Sequence, residues 1–158
     1  MKLELLAIGR AKPSAESELV GSWLSRLPHG GAIHAFESPL PSGAKRQADE
    51  SGKIMDWLDK NAPSHYRLVC LDPEGRDTSS EELASLIGHW RDEGVMRCYF
   101  AIGGADGHHA SLRKKADKMI AFGRATWPHM LFRAMLAEQL YRAEMILKNH
   151  PYHRGNYT

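Results

Sequence analysis

The 158-residue chain has room for one domain with a hydrophobic core, and its 42% hydrophobic and 25% charged residues are ordinary for a globular protein. A net charge of +2 is too mild to mark a nucleic-acid binder by itself, but it allows a local basic face. Glu4 and Arg10 interrupt any signal-peptide core at the N-terminus, and no apolar run approaches membrane-spanning length, so a soluble cytoplasmic protein is expected.

Leu3–Ile8 is a short apolar run closed by Gly9 and reads as a first strand. Ala15, Leu19, Trp23 and Leu27 recur at helical spacing, and Pro28-His29-Gly30-Gly31 stops that helix. Ala32–Phe36 is a second strand, and Pro39–Gly43 is a turn-rich loop. Ala44, Ala48, Met55 and Leu58 mark another helix, with Lys45, Arg46, Asp49 and Lys53 on its polar face. Tyr66–Leu71 is a strong strand ending in the turn residues Asp72-Pro73-Glu74-Gly75. Ser79 or Ser80 caps the next helix, Glu81 and Glu82 suit its first turn, and Leu83, Leu86, Ile87 and Trp90 form its buried stripe. Val95–Ile102 is apolar apart from Arg97, as a central parallel strand should be, and runs into Gly103-Gly104-Ala105-Asp106-Gly107. A basic helix with Arg113, Lys114 and Lys115, a short strand Lys118–Phe122 and a loop Gly123–Pro128 follow, and Pro128 opens a long C-terminal helix.

Alternating strands and helices predict an α/β fold with a mainly parallel sheet flanked by helices. With no repeat or linker, residues 1–158 read as one domain. Cys70 and Cys98 lie in strand-like runs and read as buried thiols in a reducing compartment.

Ligands of open α/β sheets sit beyond the carboxyl ends of the strands. The loops Leu71–Gly75, Gly103–Gly107 and Gly123–Pro128 lie there, and their glycines let a ligand approach the backbone. Gly103-Gly104-x-x-Gly107 matches neither a dinucleotide fingerprint nor a P-loop, and a plain strand-to-helix turn also explains it. Glu138 and Arg142 share a helix face at i and i+4, next to Tyr141 and flanked by Leu131, Met135 and Met145. They are either an exposed pair or a partly buried one at an interface or site. The tail holds His150, Pro151, Tyr152, His153 and Arg154, groups suited to phosphate contact, base stacking and proton handling. His150 and His153 lack the further ligands a metal needs, and His108-His109 reads as a surface feature at a helix start.

Several motifs in order carry a family resemblance. They are Leu71-Asp72 after a strand, Ile102-Gly103-Gly104-x-x-Gly107, Thr126-Trp127-Pro128-His129, Glu138-Gln139-Leu140-Tyr141-Arg142-Ala143 and His150-Pro151-Tyr152-His153-Arg154. Over nearly its whole length the chain resembles the RlmH-type 23S rRNA pseudouridine N3-methyltransferases of the SPOUT superfamily. The resemblance implies a C-terminal trefoil knot and a homodimer. It further implies S-adenosylmethionine (S-adenosyl-L-methionine) in the knotted loops and action on assembled ribosomes in the cytoplasm, without metal, membrane or DNA. The cofactor pocket it implies is Leu71, Gly103, Gly104, Gly123, Arg124, Ala125, Thr126, Trp127 and Pro128. The catalytic and RNA region it implies is Glu138, Tyr141, Arg142, His150, Tyr152, His153 and Arg154. Three positions depart from the family pattern: Ala105 and Asp106 replace a Pro-Glu pair, and Gly123 replaces a serine. The chain also runs on through Gly155-Asn156-Tyr157-Thr158.

The N3 of pseudouridine holds a proton at neutral pH, so a base must take it or a cation must stabilise the anion that forms. Glu138 or His153 can accept it, Arg142 or Arg154 can stabilise charge or grip a phosphate, and Tyr152 can stack on the base. Two rivals share the fold: a methyltransferase for another RNA base, and a non-catalytic ribosome- or RNA-binding module. A nicotinamide enzyme is disfavoured by the missing fingerprint.

Overall fold

Lys2–Ile8 forms β1, buried at every residue after Lys2. A strand covered on both faces reads as a continuous apolar run, which is why Leu-Leu-Ala-Ile shows no alternation. The computed structural model describes residues 1–154, so the Gly155-Asn156-Tyr157-Thr158 extension lies outside the described residues. After β1 come α1 (Ala15–Ser25), β2 (Ala32–Phe36), α2 (Ala44–Asn61), β3 (Tyr66–Asp77) and α3 (Ser80–Asp92). Then follow β4 (Arg97–Ile102), α4 (Ala110–Lys115), β5 (Lys118–Ala121) and α5 (His129–Leu147).

The strands form one five-stranded sheet in the order β2-β1-β4-β3-β5, and every neighbouring pair is parallel. The expected central strand, β4, is central. All strand carboxyl ends therefore share one edge, and the loops after β4, β3 and β5 are neighbours there. Leu5, Val69 and Phe100 pack with α1, α3 and α5 on one face. Leu6, Leu68 and Tyr99 pack with α2 and α4 on the other. Among the described residues no helix is long and apolar enough to cross a membrane. Cys70 and Cys98 are free and buried, and burial pushes the Cys70 thiol up to about 12.

Four expectations need correction. On α1 the buried residues are Val20 and Leu24, followed by Leu27, while Leu19 is 46% exposed. Leu27 is buried as expected and Trp23 packs half-buried against the core, but Val20 and Leu24 take the central places predicted for Leu19 and Trp23, because the core side of a helix is set by what it packs on. On α2 the buried residues are Glu50, Ser51, Ile54 and Leu58; Ala44 and Ala48 face solvent. The turn-rich Asp72-Pro73-Glu74-Gly75 lies inside β3, which bulges between Leu71 and Arg76 and then pairs with β5 again. A β-carbon on Gly75 would stand 2.6 Å from the Ile120 backbone, so glycine permits that close approach. His108 is no surface residue: it is buried, and its Nε2 lies 3.1 Å from the Ala101 carbonyl oxygen.

Ser79 caps α3 as predicted, with Glu82 completing a reciprocal capping box. The Asp106 departure has a structural role. Its Oδ2 accepts from Arg46 Nε at 2.6 Å and its Oδ1 from the Gly43 N–H at 3.2 Å, tying the start of α2 to the glycine loop.

Candidate active site

Arg133 anchors α5 at the carboxyl edge. Its Nη2 donates to the carbonyls of Ile8 and Gly9 at 2.9 and 2.6 Å, at the end of β1. The side chain is almost wholly buried and also donates through Nε to His129 Nε2 at 3.1 Å. Burial, with the Arg133 charge beside it, pushes the His129 pKa below its usual range. Sequence reasoning assigned Arg133 no role; a charge at a buried position of an amphipathic helix was the available signal.

The tail returns along α5 through a specific helix ending. His150 N–H donates to the Met145 carbonyl at 2.9 Å and Asn149 N–H to Ile146 at 3.0 Å. These are the paired bonds of a Schellman motif, with Asn149 in the left-handed region at φ 52°. The turn sends Tyr152 and His153 back over the helix instead of onward into solvent.

There the sequence-predicted residues meet. Glu138 Oε1 accepts from Arg142 Nη2 at 2.7 Å, from Arg142 Nε at 3.0 Å and from Tyr152 Oη at 2.8 Å. Gln139 Nε2 donates to the other oxygen at 3.0 Å. The Arg142 guanidinium carbon lies 4.9 Å from the Tyr152 ring centroid, a cation–π distance. Arg142 Nη1 lies 3.3 Å from His153 Nδ1, and His153 Nε2 lies 2.9 Å from Glu81 Oε1 on α3. A guanidinium only donates, so His153 Nδ1 accepts and Nε2–H donates to Glu81. Burial, with the Glu138 carboxylate beside it, pushes Tyr152 up to about 12. Tyr141 and Trp23 pack their rings on Tyr152 at 5.0 and 6.1 Å. His150 Nδ1 accepts from the Tyr152 N–H at 3.1 Å and stays outside the network. Arg154 is exposed, with one long contact to the Pro151 carbonyl at 3.4 Å. Glu81 is a member that sequence reasoning missed, read there only as a dipole-compensating residue.

The resemblance-derived cofactor residues lie along three adjacent strands toward their carboxyl ends. Leu71 pairs with Ile102 on one side and Ile120 on the other, directly before the bulge of β3. Gly103 packs on the Gly107 backbone. A β-carbon on Gly104 would stand 2.9 Å from Ile8 Cγ2 and 3.1 Å from Glu50 Oε2. Gly123 adopts φ 81° and its N–H donates to Asp77 Oδ1 at 2.7 Å. Residues 123–128 are exposed throughout, so their backbone groups are open to a ligand. A cleft of about 530 Å³ reaches from Gly123 past Ser79 to Glu138, with Trp23, Leu131 and Met135 as its apolar wall. It takes in neither Leu71 nor the Gly103-Gly104 pair.

Small, close-packed glycines beside an exposed loop suit a flat nucleoside-bearing cofactor, which needs backbone contact more than side-chain charge. Among the described residues no three His, Cys, Asp or Glu side chains are grouped to hold a metal.

Residues 1–153 match the family model described as "Predicted SPOUT methyltransferase". The chain is 46% identical over 156 residues to the ribosomal RNA large subunit methyltransferase H of Novosphingobium aromaticivorans, covering 98% of this chain and 99% of that protein. It is 42% identical to the protein of that name from Paramagnetospirillum magneticum, covering 98% of this chain and 99% of that one. The fold is similar to that of the SpoU methyltransferase AviRb from Streptomyces viridochromogenes, solved in complex with AdoMet. That likeness has a TM-score of 0.52 at 13% identity, over 91% of this chain and 58% of AviRb.

Proposed function

The chain belongs to the SPOUT methyltransferase family, and from that premise we propose that it methylates N3 of a pseudouridine in 23S ribosomal RNA, on the assembled large subunit. S-adenosylmethionine supplies the methyl group as its own electrophile, so the protein's work is to bind, orient and exclude water. Leu71, Gly103, Gly104 and the loop from Gly123 through Arg124, Ala125, Thr126, Trp127 and Pro128 hold the cofactor. The observation that carries this reading is the cleft that runs from Gly123 to Glu138, the carboxylate that holds Arg142 and Tyr152.

Glu138 is the organiser of that network. Its oxygens are committed to Arg142, Tyr152 and Gln139, so it fixes the guanidinium and the phenol and is a poor proton acceptor. Arg142 places a delocalised positive charge where the uridine oxygens beside N3 become negative. His153 takes the N3 proton on Nδ1, which only a 3.3 Å contact with Arg142 occupies. Tyr152 positions the base, and Arg154 reaches phosphate.

The working unit is a homodimer and the site is shared across it. Leu19 and Leu131, 46% and 36% exposed, border the cleft and give it an apolar edge that a second copy can cover. The C-terminal part is threaded as the family's trefoil knot. The chain acts as one domain, and the cytoplasm follows from a ribosomal substrate.

The test is to incubate the protein with methyl-labelled S-adenosylmethionine and ribosomes from cells lacking the enzyme, then map the label. Label on N3 of one 23S pseudouridine is expected. Label on another base, or cofactor that fails to bind in calorimetry, would overturn the assignment.

A further inference from the structure

A second cleft, of about 540 Å³, opens at the carboxyl ends of β1 and β2, away from the tail. It lies beside a topological switch point. The adjacent strands β1 and β4 send their chains to α1 and α4, which cover opposite faces of the sheet. Crevices of this kind hold ligands in open α/β folds.

Its floor is Glu50, which is 5% exposed. Among the described residues neither carboxylate oxygen accepts a hydrogen bond. Oε2 is shut against the Gly104 backbone without a partner, which leaves Oε1 to the cleft. The nearest cation, Arg46 Nε, is 3.7 Å away and is already bound at 2.6 Å by Asp106. Burial pushes the Glu50 pKa up, and the Arg46 charge offsets it only in part. A buried acceptor left unsatisfied is costly unless a ligand supplies the donor. The apolar walls are Ile8 and Pro39. Lys12 and Lys45, exposed and without acidic partners among the described residues, stand in the two chain segments that flank the opening. Glu37 also lines the cleft and is paired with Arg10 at 3.7 Å; the carboxylate floor, the apolar walls and the two lysines beside the opening match a nucleotide presented base-first, base N–H groups inward and phosphates toward the lysines.

We propose that this cleft is a substrate subsite in which Glu50 accepts an N–H of an unpaired nucleobase of the ribosomal RNA while Lys12 and Lys45 hold the flanking phosphates. The inference rests on the methyltransferase reading and extends it to a recognition site on the other side of Gly104.

Glu50→Gln keeps the side-chain shape and removes the charge. In the full-length protein it is expected to bind S-adenosylmethionine as wild type does by calorimetry, with a melting temperature no lower than that of wild type. Its KM for ribosomes should rise roughly 10-fold, because the amide oxygen still accepts the base N–H but without the charge, with kcat little changed. Lys12→Ala with Lys45→Ala should raise KM and flatten its salt dependence. A photoreactive group on Ser38→Cys, at the cleft wall, should crosslink to 23S rRNA close to the methylated nucleotide; this arm stands even if Glu50→Gln fails to fold. Wild-type kinetics in Glu50→Gln, or a crosslink absent or far from the target, overturns the subsite. Loss of cofactor affinity in Glu50→Gln also overturns it, by giving the carboxylate to the cofactor's ammonium group. If the wild-type protein itself labels no ribosomal RNA, the methyltransferase reading has failed; if it labels and the variants match it, only the subsite has.

Discussion

Two glutamates on the carboxyl edge of the sheet stand in opposite states. Glu138, on α5, gathers Arg142, Tyr152 and Gln139 within 3.0 Å. Glu50, on α2, is the more deeply buried and has no hydrogen bond among the described residues, with Arg46 3.7 Å away. Satisfied, a carboxylate stiffens the groups around it; unsatisfied, it stores a desolvation cost that a donor can relieve. The first arrangement suits a site that must be rigid before substrate arrives, the second a site that substrate completes.

Ending the chain after Asn149 is the harshest way to break the Glu138 side. It removes Tyr152 and His153, so methyl transfer to ribosomes should be lost while the melting temperature and calorimetric cofactor binding stay near wild type. Full turnover in that truncated protein would take the tail out of the site. Arg142→Ala is next: kcat should fall roughly 100-fold, the usual cost of one positioned transition-state donor. Arg154→Ala touches an exposed residue outside the network, so it should weaken ribosome binding and flatten its salt dependence without lowering saturated turnover.

The contrast sharpens in stability. Glu138→Gln should lower unfolding free energy by about 1 kcal/mol, because several donors lose a charged acceptor. Glu50→Gln should be neutral or stabilising in denaturant titrations, since it deletes a buried charge that Arg46 compensates only in part. Asn149 tests the turn that makes the Glu138 cluster possible. Asn149→Gly should keep activity, whereas Asn149→Val, forced to positive φ, should cost about 1–3 kcal/mol and misaim the tail.

The smallest effect expected is on pH dependence, and it comes from His108. Burial holds its folded pKa below the usual 6.5, so the unfolded chain binds more protons in the interval between the two values. Stability should therefore fall as pH drops below 6.5 and level off below the folded pKa. His108→Gln should flatten that slope in thermal melts; an unchanged slope would assign it to other groups.

Much of this architecture was legible in the residues. Apolar runs marked all five strands, and Ser79 with Glu82 announced the start of α3. The i,i+4 spacing of Glu138 and Arg142 was enough to predict a shared face, because helix geometry leaves no other option. The motif order carried the resemblance to the methyltransferase family. Tertiary structure decided the rest. Local spacing does not say which side of α1 meets the sheet, so Leu19 and Val20 exchanged roles. Turn-forming residues at 72–75 became a bulge inside β3 because the chain beyond them returns to the sheet, Arg76 and Asp77 pairing with Ile120 and Ala121. Glu50 was not among the residues the sequence singled out, and only the approach of Gly104 and Ile8 from distant parts of the chain buried it. Periodicity is a property of neighbours in sequence; burial, and the cost of an unpaired charge, depend on neighbours in space.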